Sequence, residues 1–226
     1  MTPKIDEDFD GFILPNGEMV SIKDADRMFS FFIKRNEDQG TIKQSLWALA
    51  LECVEKNYYK AAYDYFEKIL LLADAPGEKA DCLLRMGLAM EAVRDYKAAL
   101  DVYSRGLDLP QESKEIWYFL TNNSGYCLNQ IERHQEAEAY CLAAIKIEPA
   151  RHNAYKNLGI ALQNQGRLVE AAQNFMQATK LCPRDTRALA HLEALVACHR
   201  ENPILLELLH ECHELSHYAE EKIRIQ

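Results

Sequence analysis

NAYKNLGIALQNQGRLVEAAQNFMQATKLCP, residues 153–183, sets Tyr155, Leu158, Gly159 and Leu162 at helical spacing, turns at Gly166, and resumes with Leu168, Ala171, Phe175 and Ala178 before Pro183. This is the pattern of two amphipathic helices joined by a glycine turn. Gly125, Leu128, Ala137, Ala144 and Pro149 stand 34 residues before Gly159, Leu162, Ala171, Ala178 and Pro183, so the unit is written at least twice. A repeat of this length cannot bury its own apolar face, and neighbouring copies must supply each other's core.

Two further copies lie upstream. Ala50 and Gly87, Ala62 and Ala99, and Phe66 and Tyr103 are each 37 residues apart, and Gly87 and Gly125 are 38 apart. The extra residues are expected in loops between hairpins, at 73–79 and 110–115, which carry Pro76, Gly77 and Pro110. The copies then span about 43–75, 80–112, 118–149 and 152–183. Glycine inside a helix is retained where a neighbour leaves no room for a Cβ, and Gly125 and Gly159 read as such contacts. Ser124, His134 and Cys141 stand where the next copy has Leu158, Leu168 and Phe175, which predicts a looser third hairpin.

The order of small and large residues resembles the tetratricopeptide repeat. The resemblance implies an all-α, right-handed superhelical solenoid of about four hairpins, with repeats over 41–183. Residues 184–226 read as C-terminal capping helices, because Leu189, Leu192 and Val196 restart a helix and Leu205, Leu208, Leu209, Cys212 and Leu215 stripe another over 203–224.

Residues 1–40 do not repeat. Phe12–Leu14 and Glu18–Ile22 flank Asn16-Gly17 and predict a β-hairpin, followed by a helix over 24–35 capped by Asp24. Its face Met28, Phe31 and Phe32 predicts either a cap on the first repeat or an interface for a homodimer.

In the resembling family the first helix of each repeat lines a concave groove that holds a peptide or a partner helix. Two positions before the marker glycine stand Asn123 and Asn157, and an asparagine there can donate to and accept from a ligand backbone. Arg85 and His191 take that place in other copies, and Ala48 in the first. Asn122, Tyr126, Asn153, Lys156, Gln163, Asn164 and Arg187 complete the expected contacts, with Asp81, Asn129 and Gln130 beside them. Some family members clamp a terminal carboxylate with lysines, asparagines and an arginine. Aligned on that pattern, Asn122, Tyr126, Asn157, Arg187 and His191 fill the five positions, and three depart from it.

Net charge is −9, and the two ends carry most of it: residues 1–40 hold five basic against nine acidic residues, and 201–226 two against six. An acidic chain without a basic stripe offers no footprint for nucleic acid or an anionic membrane. The acidic start and the lack of a long apolar run predict a cytoplasmic protein. Seven cysteines stand singly, without a Cys-x-x-Cys, and read as reduced packing residues.

His213-Glu214-Leu215-Ser216-His217 matches the zinc-protease pattern, in which two histidines one turn apart bind metal and the glutamate activates water. A third ligand would have to come from Glu220 or Glu221 on the same helix or from upstream residues such as His191, Cys198 or His199, and the helical context lacks the strand edge that such a cleft uses. The expected function is therefore non-enzymatic and needs no cofactor: an adaptor, scaffold or chaperone-like protein that binds a protein or peptide partner. Two alternatives are a chaperone for exported proteins of a bacterial secretion system, and a zinc hydrolase or metal binder at His213 and His217.

Overall fold

The computed structural model describes residues 4–6, 11–13, 19–35, 38–199 and 201–224. The chain divides into two compact units, Met1–Ser113 and Lys114–Gln226.

The first unit opens with a small antiparallel sheet of β1 (Lys4–Asp6), β2 (Gly11–Ile13) and β3 (Met19–Ser21), with Phe12 opposite both Ile5 and Val20. The expected hairpin is thus β2–β3. Its Asn16-Gly17 turn lies outside the described residues, and β1 adds a strand that the sequence had not suggested. Helix α1 (Ala25–Lys34) follows, with the Asp24 carboxylate accepting the Arg27 backbone N–H at 3.1 Å. Met28 and Phe32 enter one core with Val20, Ile22, Ile42, Leu46, Tyr65, Phe66, Leu83 and Met86, so this segment packs on the first hairpin.

That hairpin is α2 (Gln39–Glu55) and α3 (Tyr59–Leu72), and α4 (Pro76–Ala92) and α5 (Tyr96–Leu107) form the second. Asp38 caps α2 by accepting the Thr41 N–H at 3.0 Å, and Asp95 caps α5 through the Ala98 N–H at 3.1 Å. Pro76 occupies the first turn of α4, where its missing N–H costs nothing.

The second unit holds α6 (Lys114–Gln130) with α7 (His134–Ile147), α8 (His152–Asn164) with α9 (Leu168–Leu181), and the pair α10 (Arg187–Cys198) and α11 (Pro203–Arg224). Helix α11 packs on α9 and α10, with Leu205 and Leu208 buried, as a terminal cap requires. Asn202 caps it by accepting the Ile204 N–H at 3.1 Å.

Two expectations change. The first three hairpins begin at residues 39, 76 and 114, each four residues before the expected start, because α2, α4 and α6 are 17 residues long against 13 for α8. The extra residues add about one turn to the leading helix rather than lengthening a loop. Nor is the third hairpin looser: α6 and α7 meet as extensively as α8 and α9. A Cβ on Gly125 would stand 2.8 Å from the Cys141 sulfur, so the small thiol closes the gap that Phe175 closes against Gly159, where a Cβ would stand 2.5 Å from the ring.

Each hairpin turns through one residue in the left-handed region: Asn57, Arg94, Glu132 and Gly166, with φ of 62°, 61°, 63° and 78°. The backbone N–H of the next residue then closes on the preceding helix, as from Tyr58 to Cys53 at 2.7 Å and from Arg167 to Leu162 at 3.0 Å. This is a Schellman-type stop, and only the fourth copy uses the glycine that it favours.

Candidate functional site

In the second unit, α6, α8 and α10 are the leading helices, and the amides predicted for their groove face form a linked chain. Asn129 on α6 donates to the main-chain carbonyl of Asn157 on α8 at 2.8 Å. Asn157 Nδ2 donates to Asn122 Oδ1 at 3.1 Å, and Asn122 Nδ2 donates to Asn123 Oδ1 at 3.0 Å. His134 Nδ1, on α7, lies 3.2 Å from Asn129 Oδ1. Asn122, Asn129 and Asn157 are 5%, 6% and 2% exposed, so these side chains are built into the helix packing. Asn157 Oδ1 is buried with no hydrogen-bond partner among the described residues. An orphan acceptor of this kind costs free energy until a donor reaches it.

Lys156 precedes it on α8 and is 9% exposed. It has no hydrogen bond or salt bridge among the described residues. Burial lowers its pKa, the nearby Arg187 guanidinium lowers it further, and Asp185 opposes both. His191 on α10 stacks on the Phe175 ring, with centroids 5.3 Å apart, and burial followed by the Lys156 charge lowers its pKa.

Arg187 is exposed and held by Asp185, Nε to Oδ1 at 2.8 Å, and its Nη2 donates to Asn153 Oδ1 at 3.2 Å. His152 Nε2 lies 2.8 Å from Asp185 Oδ2. Bonding to Arg187 holds the Asp185 carboxyl well below the usual range. Tyr126 and Gln163 are half-buried, while Asn164 turns back to donate to the Ile160 carbonyl of its own helix at 2.9 Å. The structure therefore links Asn122, Asn123 and Asn157, and draws Asn153 and Arg187 together.

Arg85 lies in the other unit, on α4. Its guanidinium sits over the Trp47 ring at 4.8 Å, and its Nε donates to Asp81 Oδ1 at 3.2 Å. Around it stand exposed aliphatic residues of α2 and α4, Leu51, Val54 and Leu88, that were absent from the expected contacts. The signal was present at matched offsets from Ala50 and Gly87, but apolar spacing on a helix does not separate core from an open face.

On α11, His213 Nε2 meets Glu193 Oε1 at 2.7 Å, and Glu214 lies on the side of His210 at 3.6 Å. Among the described residues no three His, Cys, Asp or Glu groups are arranged to hold a metal ion. Nor is any helix among them long and apolar enough to cross a membrane.

Tetratricopeptide-repeat models match residues 122–151 and 152–185. The chain is 31% identical over 105 residues to small glutamine-rich tetratricopeptide repeat-containing protein 2 of Mycosarcoma maydis, covering 46% of this chain and 29% of that protein. It thus spans under a third of that relative's length. Its fold is similar to that of MamA 41-end from Desulfovibrio magneticus RS-1, with a TM-score of 0.64 at 20% identity over 80% of this chain and 97% of the other. It is also similar to YrrB, a TPR protein with an unusual peptide-binding site, with a TM-score of 0.58 at 22% identity over 87% and 99% of the two chains. Residues 122–185 thus match two tetratricopeptide repeats, a module that serves protein interaction, and the hairpins of the chain share the fold of these solved structures.

Proposed function

We propose that this chain is a non-enzymatic, cytoplasmic adaptor or scaffold whose α6, α8 and α10 face holds a segment of another protein. The observation that carries this reading is on α8: a nearly buried Lys156 without an ion-pair partner among the described residues, beside an Asn157 amide built into the helix packing. A peptide supplies what the ammonium lacks, a carboxylate or carbonyl, while the buried Asn157 amide holds the surrounding side chains in place. Flanking amides at Asn123, Asn153 and Gln163 suit a partner read through its backbone rather than through one strong charge.

The test is co-purification of the full chain from native lysate, identification of the retained protein by mass spectrometry, and titration with peptides tiled across it. Lys156→Met should keep the helical circular dichroism spectrum and weaken the best peptide about tenfold. Asn157→Ala should weaken it comparably. It should also cost about 1–2 kcal/mol of stability, because it leaves Asn122 Oδ1 without its donor. If both variants bind every retained partner as the parent does, the face is not the site.

A further inference from the structure

The first unit carries a second recognition feature of different chemistry. Between the end of α2, the start of α3 and the middle of α4 lies an open cavity of about 110 Å³ lined by Leu51, Val54, Tyr59, Phe66, Leu88 and Arg85. Phe66 is buried within it, whereas Leu51, Val54 and Leu88 are 38%, 37% and 43% exposed. Single exposed aliphatics are ordinary on a protein surface, but three that converge on one concavity are an unfilled apolar site.

Size and charge define the occupant. Small-molecule sites run to about 300–1,000 Å³, well above this cavity, whereas an apolar cavity of about 150 Å³ accepts benzene. One branched aliphatic side chain is the matching guest. At the edge, Arg85 is braced by the Trp47 ring and by Asp81 through Nε, and its two terminal nitrogens make no hydrogen bond among the described residues. A guanidinium held this way presents its remaining donors as a fork for a carboxylate. Arg85 and Leu88 are one turn apart on α4, and Leu51 and Val54 are one turn apart on α2, a spacing that complements i, i+4 anchors of a helix laid between them.

We infer that this cavity docks an amphipathic helix of a partner protein through a leucine- or isoleucine-type side chain, with a carboxylate one turn away paired to Arg85. The inference rests on the reading of the chain as a binder of protein segments, but it uses a different unit and different chemistry from the amide face.

The test uses the full chain, labelled with ¹⁵N, and a capped helical peptide of Ala, Gln and Lys bearing one Leu and a Glu four residues from it. Amide shifts should concentrate at Leu51, Val54, Arg85 and Leu88. Replacing the peptide's Leu by Ala should weaken binding about tenfold. Arg85→Glu should weaken the Glu peptide about threefold and favour the same peptide carrying Lys in place of Glu, with circular dichroism confirming the fold. Lys156→Met should leave these titrations unchanged, so failure of the amide face and failure of this cavity are distinguishable. Equal binding of the Leu and Ala peptides, shifts confined to other helices, or loss of the charge preference without its inversion would overturn the proposal. So would a concentration-dependent dimer abolished by Leu88→Asp, which would make a second copy the occupant.

Discussion

At matched offsets from the small marker residue, the two units use one scaffold and opposite surfaces. Three residues before the marker stand Trp47 and Leu84 in the first unit and Asn122 and Lys156 in the second. One residue after it stand Leu51 and Leu88 against Tyr126 and Ile160, and four after it Val54 and Glu91 against Asn129 and Gln163. The closest helix contacts are alike: the residue 16 after each marker is Phe66, Tyr103, Cys141 or Phe175, and each is buried. Packing positions thus set the hairpin, while the leading helix's other face is free to be an apolar cavity in one unit and an amide row in the other.

The largest effect expected tests the shared scaffold. Phe66→Ala and Phe175→Ala should each cost about 3–5 kcal/mol in chemical denaturation, since both rings are fully buried, whereas Cys141→Ala at the same register should cost about 1 kcal/mol. Unequal costs for the two phenylalanines would mean that the hairpins are not equivalent. Ala171→Leu, at a fully buried position of α9, should overpack the helix contact and cost about 1–3 kcal/mol.

Next comes the charge that, among the described residues, only the second unit buries. Lys156→Met should raise stability at neutral pH by about 1 kcal/mol, because it removes an ammonium that burial disfavours. The sign with pH follows from the direction of the shift. Between the lowered folded pKa and the ordinary 10.5, the unfolded chain holds a proton that the folded one has released, so stability from this group rises with pH through that window. The gap between parent and variant should therefore narrow on going from pH 7 to pH 10.5, measured by urea denaturation of both proteins.

The smallest expected effect lies in the turns. Arg94 in the first unit and Glu132 in the second hold a left-handed conformation that costs a residue with a Cβ about 1 kcal/mol, so Arg94→Gly and Glu132→Gly should each stabilise by about 0.5–1 kcal/mol. Gly166→Ala should destabilise by a similar amount.

What the sequence made legible follows from which residues have one physical explanation. Gly159 inside a helix has a single reason, the Phe175 ring against it, and the spacing of that glycine from Gly125, Gly87 and Ala50 located the four repeat hairpins. Helix α11 was readable because the stripe of Leu205, Leu208, Leu209, Cys212 and Leu215 has a single helical period. The added turn on α4 was hidden because Pro76 serves equally as a turn residue or a first helical residue. The burial of Asn122 and Asn157 was hidden for another reason: a lone asparagine reads as surface, and its partner 35 residues away appears only when α6 and α8 meet.

The bond from Asn129 to the Asn157 carbonyl, and the two amide bonds that continue from it, have a thermodynamic consequence. Side chains already locked in one rotamer surrender little freedom when a guest arrives, so calorimetry of a peptide on this face should show a smaller entropic penalty than docking onto loose surface amides would. Pre-organisation of that kind comes from the protein's own folding, before any partner is met.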